Sequence, residues 1–358
     1  MIVAWIGFLA LILVVLALDL GVFHRRAHVV EFRESLGWSA LWIALGLSFS
    51  VFVYFGYGRG WLGLGSTPDP VDGLRLTGGS AALKYVTGYI VEKSLSVDNI
   101  FVIATIFSFF RVPPLYQHRV LFWGILGALA MRGAMIAGGV RLIAEFHWAL
   151  YVLGAFILVT GVRMLFFKPE HADIGHHPVV RLVKRFLPIT EQYHGARFAV
   201  RAGTPQAEEP AQPGERALPD AVAVTARPGK LLLTPLGLAL VMVETSDLLF
   251  AVDSIPAIFA ITGDAFLVFT SNVFAILGLR SLYFALAGMI HRFRYMKTAL
   301  ALILVLVGAK MLAAGWLKEV LGPNFTYYVL AGILVILAGG VVASLLVPSR
   351  ETEAAPVP

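Results

Sequence analysis

Long apolar runs constrain this chain more than any other feature. A helix that spans a bilayer needs about 20 mostly apolar residues, and nine candidate runs of that kind are present: about 1–20, 36–56, 81–110, 119–140, 147–167, 231–261, 265–290, 298–317 and 325–347. Apolar residues make up 58% of the 358 positions, and the mean hydropathy is +0.81. A single soluble core cannot hide that much apolar surface, so the bilayer is its solvent. The expected fold class is all-α: a polytopic membrane protein of about nine transmembrane helices. The third and sixth runs are longer and less clean than the rest, which predicts tilt or a break there. The first run lacks a basic leader and a small-residue cleavage motif before His24-Arg25-Arg26, so it reads as a retained helix.

The charges refine this picture. The net charge is +6, but the basic residues stand at the ends of apolar runs, which is a topology signal and not a nucleic-acid patch. Arg25, Arg26, Arg33, Arg111, Arg119, Arg292, Arg294, Lys297 and Arg350 fall on one side, against Arg59, Arg75, Lys84, Arg141 and Lys318 on the other. The positive side is cytoplasmic. That predicts a multi-pass inner-membrane protein with its N-terminus outside and its C-terminus in the cytoplasm. The chain has no cysteine, which excludes thiolate metal sites, disulfides and thiol redox centres.

The segment 168–230 has two parts. Residues 179–187 carry basic and apolar residues at helical spacing. They read either as a helix in the headgroup layer or as a short solvated helix packed on the bundle. Residues 202–229 hold Pro205, Pro210, Pro213, Pro219 and Pro228 and read as a flexible linker.

Runs 3–5 and 6–8 share an internal repeat. Val97-Asp98-Asn99-Ile100 aligns with Val252-Asp253-Ser254-Ile255, and an acid stands six residues upstream in each, Glu92 and Asp247. Ile125-Leu126-Gly127 followed by Arg132 aligns with Ile276-Leu277-Gly278 followed by Arg280. Gly161-Val162-Arg163-Met164-Leu165 aligns with Gly308-Ala309-Lys310-Met311-Leu312. The offsets are 155, 151 and 147. Two three-helix units cross the membrane in opposite senses, because three is odd. The expected organisation is therefore 1–80 (two helices and a loop), 81–167 (repeat one), 168–230 (cytoplasmic loop), 231–317 (repeat two) and 318–358 (last helix and tail). Such three-plus-three inverted repeats are typical of secondary transporters with a midplane site.

Glu92, Asp98, Glu244, Asp247 and Asp253 lie inside runs 3 and 6. Each costs roughly 2.5–3.5 kcal/mol at a helix centre, so the five must meet each other, a cation, a proton or water. Lys93, Arg132 and Arg280 supply three bases, which leaves an acid surplus that suits a divalent cation. Ser94, Ser96, Asn99, Thr245, Ser246 and Ser254 are hard oxygen donors, fit for magnesium, calcium or manganese. No histidine stands in these clusters, which argues against zinc, copper and nickel. Pro256 removes a helix hydrogen bond beside Asp253; it reads either as a break that frees the Val252 carbonyl or as a plain kink. Asp19 reads either as a gate residue or as a helix-end charge, and His171, His176 and His177 read as solvated residues. Asn272 faces either the site or a neighbouring helix.

Glu92-Lys93-Ser94-Leu95-Ser96-Val97-Asp98-Asn99 resembles a TerC-family signature. So do the stretches 116–124, 250–257 and 270–280, and Asp19-Leu20-Gly21-Val22-Phe23-His24 resembles the longer, Alx-type members. The resemblance runs from about 10 to 345, the linker excepted. It implies a manganese exporter related to the LysE superfamily, linked by name to tellurium resistance, with Glu92, Asp98, Asn99, Glu244, Asp247 and Asp253 as ion-pathway residues. The expected partners are the lipid bilayer and a divalent metal ion as cargo, with no cofactor, no nucleic acid and no enzymatic activity. An intramembrane aspartyl protease would need Gly-x-Gly-Asp, which neither Asp98 nor Asp253 has. A calcium or proton transporter and a non-transporting scaffold stand as alternatives.

Overall fold

The computed structural model describes residues 1–18, 32–71, 73–146, 148–166, 178–203, 227–286, 294–322 and 325–346. The chain is helical nearly throughout. In order it forms α1 (Ile2–Leu18), α2 (Phe32–Gly58), α3 (Gly78–Phe110), α4 (Pro114–Glu145), α5 (Ala149–Phe166), α6 (Pro178–Phe186), β1 (Ala199–Arg201) and β2 (Leu231–Leu233). It continues with α7 (Pro235–Phe259), α8 (Ala265–Leu277), α9 (Leu279–Leu286), α10 (Arg294–Leu312), α11 (Ala314–Leu321) and α12 (Phe325–Leu346). Among the described residues, α2, α4, α5, α7, α10 and α12 are each long and apolar enough to cross a membrane, and the pair α8–α9 makes a seventh span if counted as one. α1 is a shorter apolar helix. α3, at 33 residues, reaches about 50 Å at 1.5 Å per residue and carries four charged side chains along its length: Lys84, Glu92, Lys93 and Asp98.

Local chemistry sets the helix ends. Thr77 and Ser80 form a capping box at the start of α3, and Arg111 closes its end in the left-handed conformation at φ 51°. Thr234 accepts a hydrogen bond from Gly237 N, and Pro235 takes the first helical position of α7. Residues 231–233 therefore pair with β1 as a strand rather than extending the sixth run. Asp264 caps α8 through Phe266 N and Leu267 N.

Of the tilt or break expected in the third and sixth runs, the break is not found there. α3 is continuous over all 33 residues, and α7 runs through Pro256 to Phe259. The bend is in the seventh run, where α8 and α9 meet at 42°. Gly278 stands between them, with Trp42 and Lys93 pressed against it.

α5 lies along α10, and α10 along α12, while α3 packs on α2, α7 and α8 and α4 on α7. The α5–α10 contact is backbone to backbone. A methyl group at Gly308 would sit 2.6 Å from Leu158 N and 2.8 Å from Gly154 O; one at Gly161 would sit 2.8 Å from Val305 N and 2.9 Å from Ala301 O. Close approach at small residues is how membrane helices gain dispersion energy, since lipid already solvates their apolar side chains. α6 seats Val180 in the core while Leu182 and Phe186 stay exposed. It is thus packed on the bundle with an apolar edge left outside. The Asp19, His171, His176 and His177 positions and most of the 202–229 linker lie outside the described residues.

Candidate functional site

The interior of a helix bundle tolerates charge only where opposite charge and hydrogen bonds meet it. Such a cluster forms where α3, α4, α7 and α8 come together. Arg132 of α4, 1% exposed, is its hub. Its Nη1 donates to Glu92 Oε1 of α3. Its Nε and Nη2 donate to the two carboxylate oxygens of Asp247 of α7, at 3.2 and 3.0 Å. Longer contacts run from Nη1 to Asn272 Oδ1 of α8 at 3.3 Å and to Ser254 Oγ at 3.4 Å. Asn99 Nδ2 donates to Asp247 Oδ1 at 3.4 Å. The midpoints of α3, α4, α7 and α8 fall near residues 94, 130, 247 and 271, so Glu92, Arg132, Asp247 and Asn272 all sit near mid-helix.

The cluster has more acceptors than donors. Glu92 Oε2, Asn99 Oδ1 and Glu244 Oε2 are buried without a hydrogen-bond partner, as is Asn272 Nδ2. Buried oxygen without a donor is costly. Three such oxygens, two of them carboxylate, make an environment short of positive charge. Glu244 stands one turn before Asp247 on α7, interacts with it electrostatically, and lies against Gly127 of α4, where any side chain would collide with its carboxylate.

Of the six residues expected from sequence, Glu92, Asn99 and Asp247 join this network directly and Glu244 adjoins it. Asp98 and Asp253 do not join it. Both are half-buried, with no hydrogen bond or ion pair to a described residue. Lys297, whose Nζ sits 4.5 Å over the Phe101 ring, is the charge nearest in effect to Asp98. Among the described residues no three acids or histidines are arranged to hold a metal ion; Arg132 stands between Glu92 and Asp247. Of the bases expected to pair with acids, Lys93 interacts electrostatically with Glu92 and donates its hydrogen bond to Ala275 O in the last turn of α8 at 3.1 Å. Lys310 likewise donates to Ala260 O, just past α7, at 2.7 Å. Both satisfy orphan carbonyls at helix ends.

A second polar network lies at the N-terminal end of α3, and the sequence reading missed it. Asp69, in the α2–α3 loop, accepts from Lys84 Nζ at 2.8 Å, Thr262 Oγ1 at 2.5 Å, Gly263 N at 2.8 Å and Val71 N at 3.0 Å. Burial pushes its carboxyl up, but the Lys84 charge and these hydrogen bonds outweigh that and hold it below the ordinary 3.8. Tyr57 donates to Asp264 at 2.7 Å, and burial holds the Asp264 carboxyl above its ordinary range. The available signals were an N-cap aspartate before an apolar run and Asp69 between two prolines in a turn. At the other end of the bundle, Tyr193 donates to Phe110 O at 2.6 Å and Thr234 to Arg197 O at 2.6 Å. These bonds tie the end of α3 to the start of α7.

Fold and site together define a polytopic helical membrane protein with a charged polar centre. A model of the TerC family of integral membrane proteins matches residues 77–352, and the chain belongs to that family. It is 44% identical over 354 residues to the uncharacterized membrane protein STKORF319 of Myxococcus xanthus, which covers 98% of this chain and 95% of that one. It is 43% identical over 309 residues to a Salmonella typhi protein carrying the provisional name membrane-bound redox modulator Alx (86% and 84% covered). It is 42% identical over 309 residues to the protein of the same name in Escherichia coli K12 (86% and 85%). No solved structure matches.

Proposed function

We infer that this chain is a secondary transporter that exports a divalent metal cation, manganese, from the cytoplasm through the acids of its inner cluster. The observation that carries the reading is the mid-helix network around Arg132, with three unsatisfied buried oxygens beside it. Carboxylate and amide oxygens suit hard divalent ions.

The inverted repeat is part of this reading, and reciprocal contacts support it. Gly161 meets Ala301 and Val305, while Gly308 meets Gly154 and Leu158. Each of these pairs maps onto the other under the 147-residue offset, as a two-fold relation requires. Glu92 and Asp247, equivalent under the 155-residue offset, hold the same guanidinium. Gly124 and Gly127 of α4 meet Val243 and Glu244 of α7, and Gly88 of α3 meets Ser271 of α8. The second helix of each unit thus lies against the first helix of the other.

In this reading the protein sits in the inner membrane with α6 and the β1–β2 pair on the cytoplasmic side. The ion enters from that side, exchanges onto Glu92, Asn99, Glu244 and Asp247, and leaves when the two units rock. Asp98 and Asp253 line the path rather than the centre. The relatives named for redox modulation do not direct this chain to thiol chemistry, because it has no cysteine. The test is manganese retained in loaded cells, comparing the native chain with Glu92→Gln, Asp98→Asn and Asp253→Asn at matched expression. Export by the native chain and its loss in Glu92→Gln supports the reading. A native chain that exports no manganese sinks it, and so does a Glu92→Gln variant that exports as the native does; the second result points to a non-transporting scaffold with structural ion pairs or to another cargo.

A further inference from the structure

We propose that the structure is the inward-facing state of the carrier, and that the polar seam around Asp69 is its outer gate. The inference rests on the carrier reading and its inverted repeat, and adds which end is shut and what shuts it. In an inverted repeat the two ends of the bundle are built from matching parts, and alternating access makes them differ in any one state. The α7–α8 turn and the α3–α4 turn are such counterparts. Thr262 and Gly263 correspond to Phe107 and Ser108 under the 155-residue offset, and Asp264 to Pro113 under the 151-residue offset.

The outer of these two turns is filled. The α2–α3 loop folds back on itself, with Asp69 N donating to Leu74 O at 2.9 Å and Gly73 N to Asp69 O at 2.8 Å. That turn holds the buried Asp69 side chain between α3 and the α7–α8 turn, where Lys84, Thr262 and Gly263 donate to it. Pro70 covers Gly263: a methyl group at Gly263 would sit 3.1–3.2 Å from the Pro70 ring. Tyr57 of α2 adds its bond to Asp264. The seam thus joins α2 and α3 on one side to the α7–α8 turn on the other, and these are parts that must separate when the two units rock.

The counterpart turn at the cytoplasmic end is open. A cavity of about 510 Å3 lies there, and its wall includes Phe107, Ser108, Arg111, Pro113, Gln117 and Tyr283. Ser108 is exposed where its counterpart Gly263 is buried. Arg111 is exposed too, so solvent and salt screen its charge. The chemistry of the seam suits a gate. When the units part, its hydrogen bonds are exchanged for bonds to water at small net cost, whereas an apolar seam would expose apolar surface to water.

The test uses the full chain, which has no cysteine, so introduced thiols are the only ones present. Pro70→Cys/Gly263→Cys sets two Cβ atoms 3.2 Å apart across the seam, close to the roughly 3.5–4.5 Å of a disulfide. Manganese flux into proteoliposomes is read before oxidation, after it, and after reduction. The cross-link forms under mild oxidation, flux stops, and reduction restores it; the single-cysteine variants are indifferent to the oxidant. A pair that does not cross-link, or flux that survives the cross-link, overturns the gate alone. A native chain and a reduced pair that both move no manganese overturn the carrier reading, and the gate with it. A second measurement needs no flux. A membrane-impermeant maleimide labels Ser108→Cys from the cytoplasmic side in inverted vesicles. It does not label Ser271→Cys from the outer side, because Ser271 is buried against Gly88, next to Asn272 and behind the seam. Labelling of Ser271→Cys from outside, or protection of Ser108→Cys in inverted vesicles, overturns the inward-facing assignment.

Discussion

Replacing Lys84 with methionine isolates the energetics of the outer network. The Lys84–Asp69 pair is buried on both sides, with side-chain exposures of 4% and 0%. Lys84→Met keeps the length of the side chain and removes the charge, leaving Asp69 ionised with Thr262, Gly263 and Val71 as its remaining donors. Breaking a buried pair from one side costs about 3–5 kcal/mol. Three surviving hydrogen bonds place this case near the lower end, about 3 kcal/mol, or on the order of a hundredfold in the folded-to-unfolded ratio. The double variant Asp69→Asn/Lys84→Met should recover most of that loss, because the stranded charge is gone. The assay is unfolding in a denaturing detergent followed by tryptophan fluorescence. A loss below about 1 kcal/mol, the level of an exposed pair, or a double variant as damaged as Lys84→Met, refutes the account. The pH dependence has a definite sign. The folded Asp69 carboxyl is held below its ordinary value, so its contribution is present above about pH 4 and is lost as pH falls through the folded value.

Three further outcomes follow from the geometry. Gly308→Val should destabilise the α5–α10 contact by about 1–3 kcal/mol or more, since the obstruction is backbone; Gly339→Ala, with open space around it, should be neutral or gain up to about 1 kcal/mol, and thermal melts of the two variants check this. Thr234→Ala removes the α7 cap and the bond to Arg197 O, and should cost about 1–2 kcal/mol in the same unfolding assay. Asp253→Asn should leave stability within about 1 kcal/mol, whereas Asp247→Asn, which weakens a buried charged pair, should cost about 3 kcal/mol; equal melting losses would contradict the different environments assigned to these two acids.

Much of the architecture was legible because its signals are local. The apolar runs marked the membrane-length helices to within a few residues, while the caps Thr234 and Asp264 were not read from the sequence. Glu92 and Asp247 stood out as charges that a bilayer interior does not tolerate alone. Their joint partner did not: the sequence offered Lys93, Arg132 and Arg280 as equivalent bases. Only packing brings Arg132 to both acids and sends Lys93 to a carbonyl at the end of α8. The bend went to Gly278 rather than to Pro256 because a proline costs a helix one hydrogen bond, which α7 absorbs. At Gly278 the chain turns where Trp42 and Lys93 press in. Asp98 and Asp253 carried the most conspicuous motif, yet they stand one step aside from the cluster. A motif fixes neighbours along the chain, but which helix face meets the centre is decided by contacts far away in sequence, such as Gly127 against Glu244. Asp69 escaped notice because its partners, Thr262 and Gly263, are nearly two hundred residues away in sequence.

The central claim is that the carboxylates around Arg132 carry a divalent ion across the membrane. The most direct measurement is manganese flux into proteoliposomes of the purified chain enclosing a manganese-quenched dye, comparing the native protein with Asp247→Asn. The account predicts saturable quenching by the native protein and a rate near that of empty vesicles for the variant. Native-like quenching by Asp247→Asn, or none by the native protein, would contradict it.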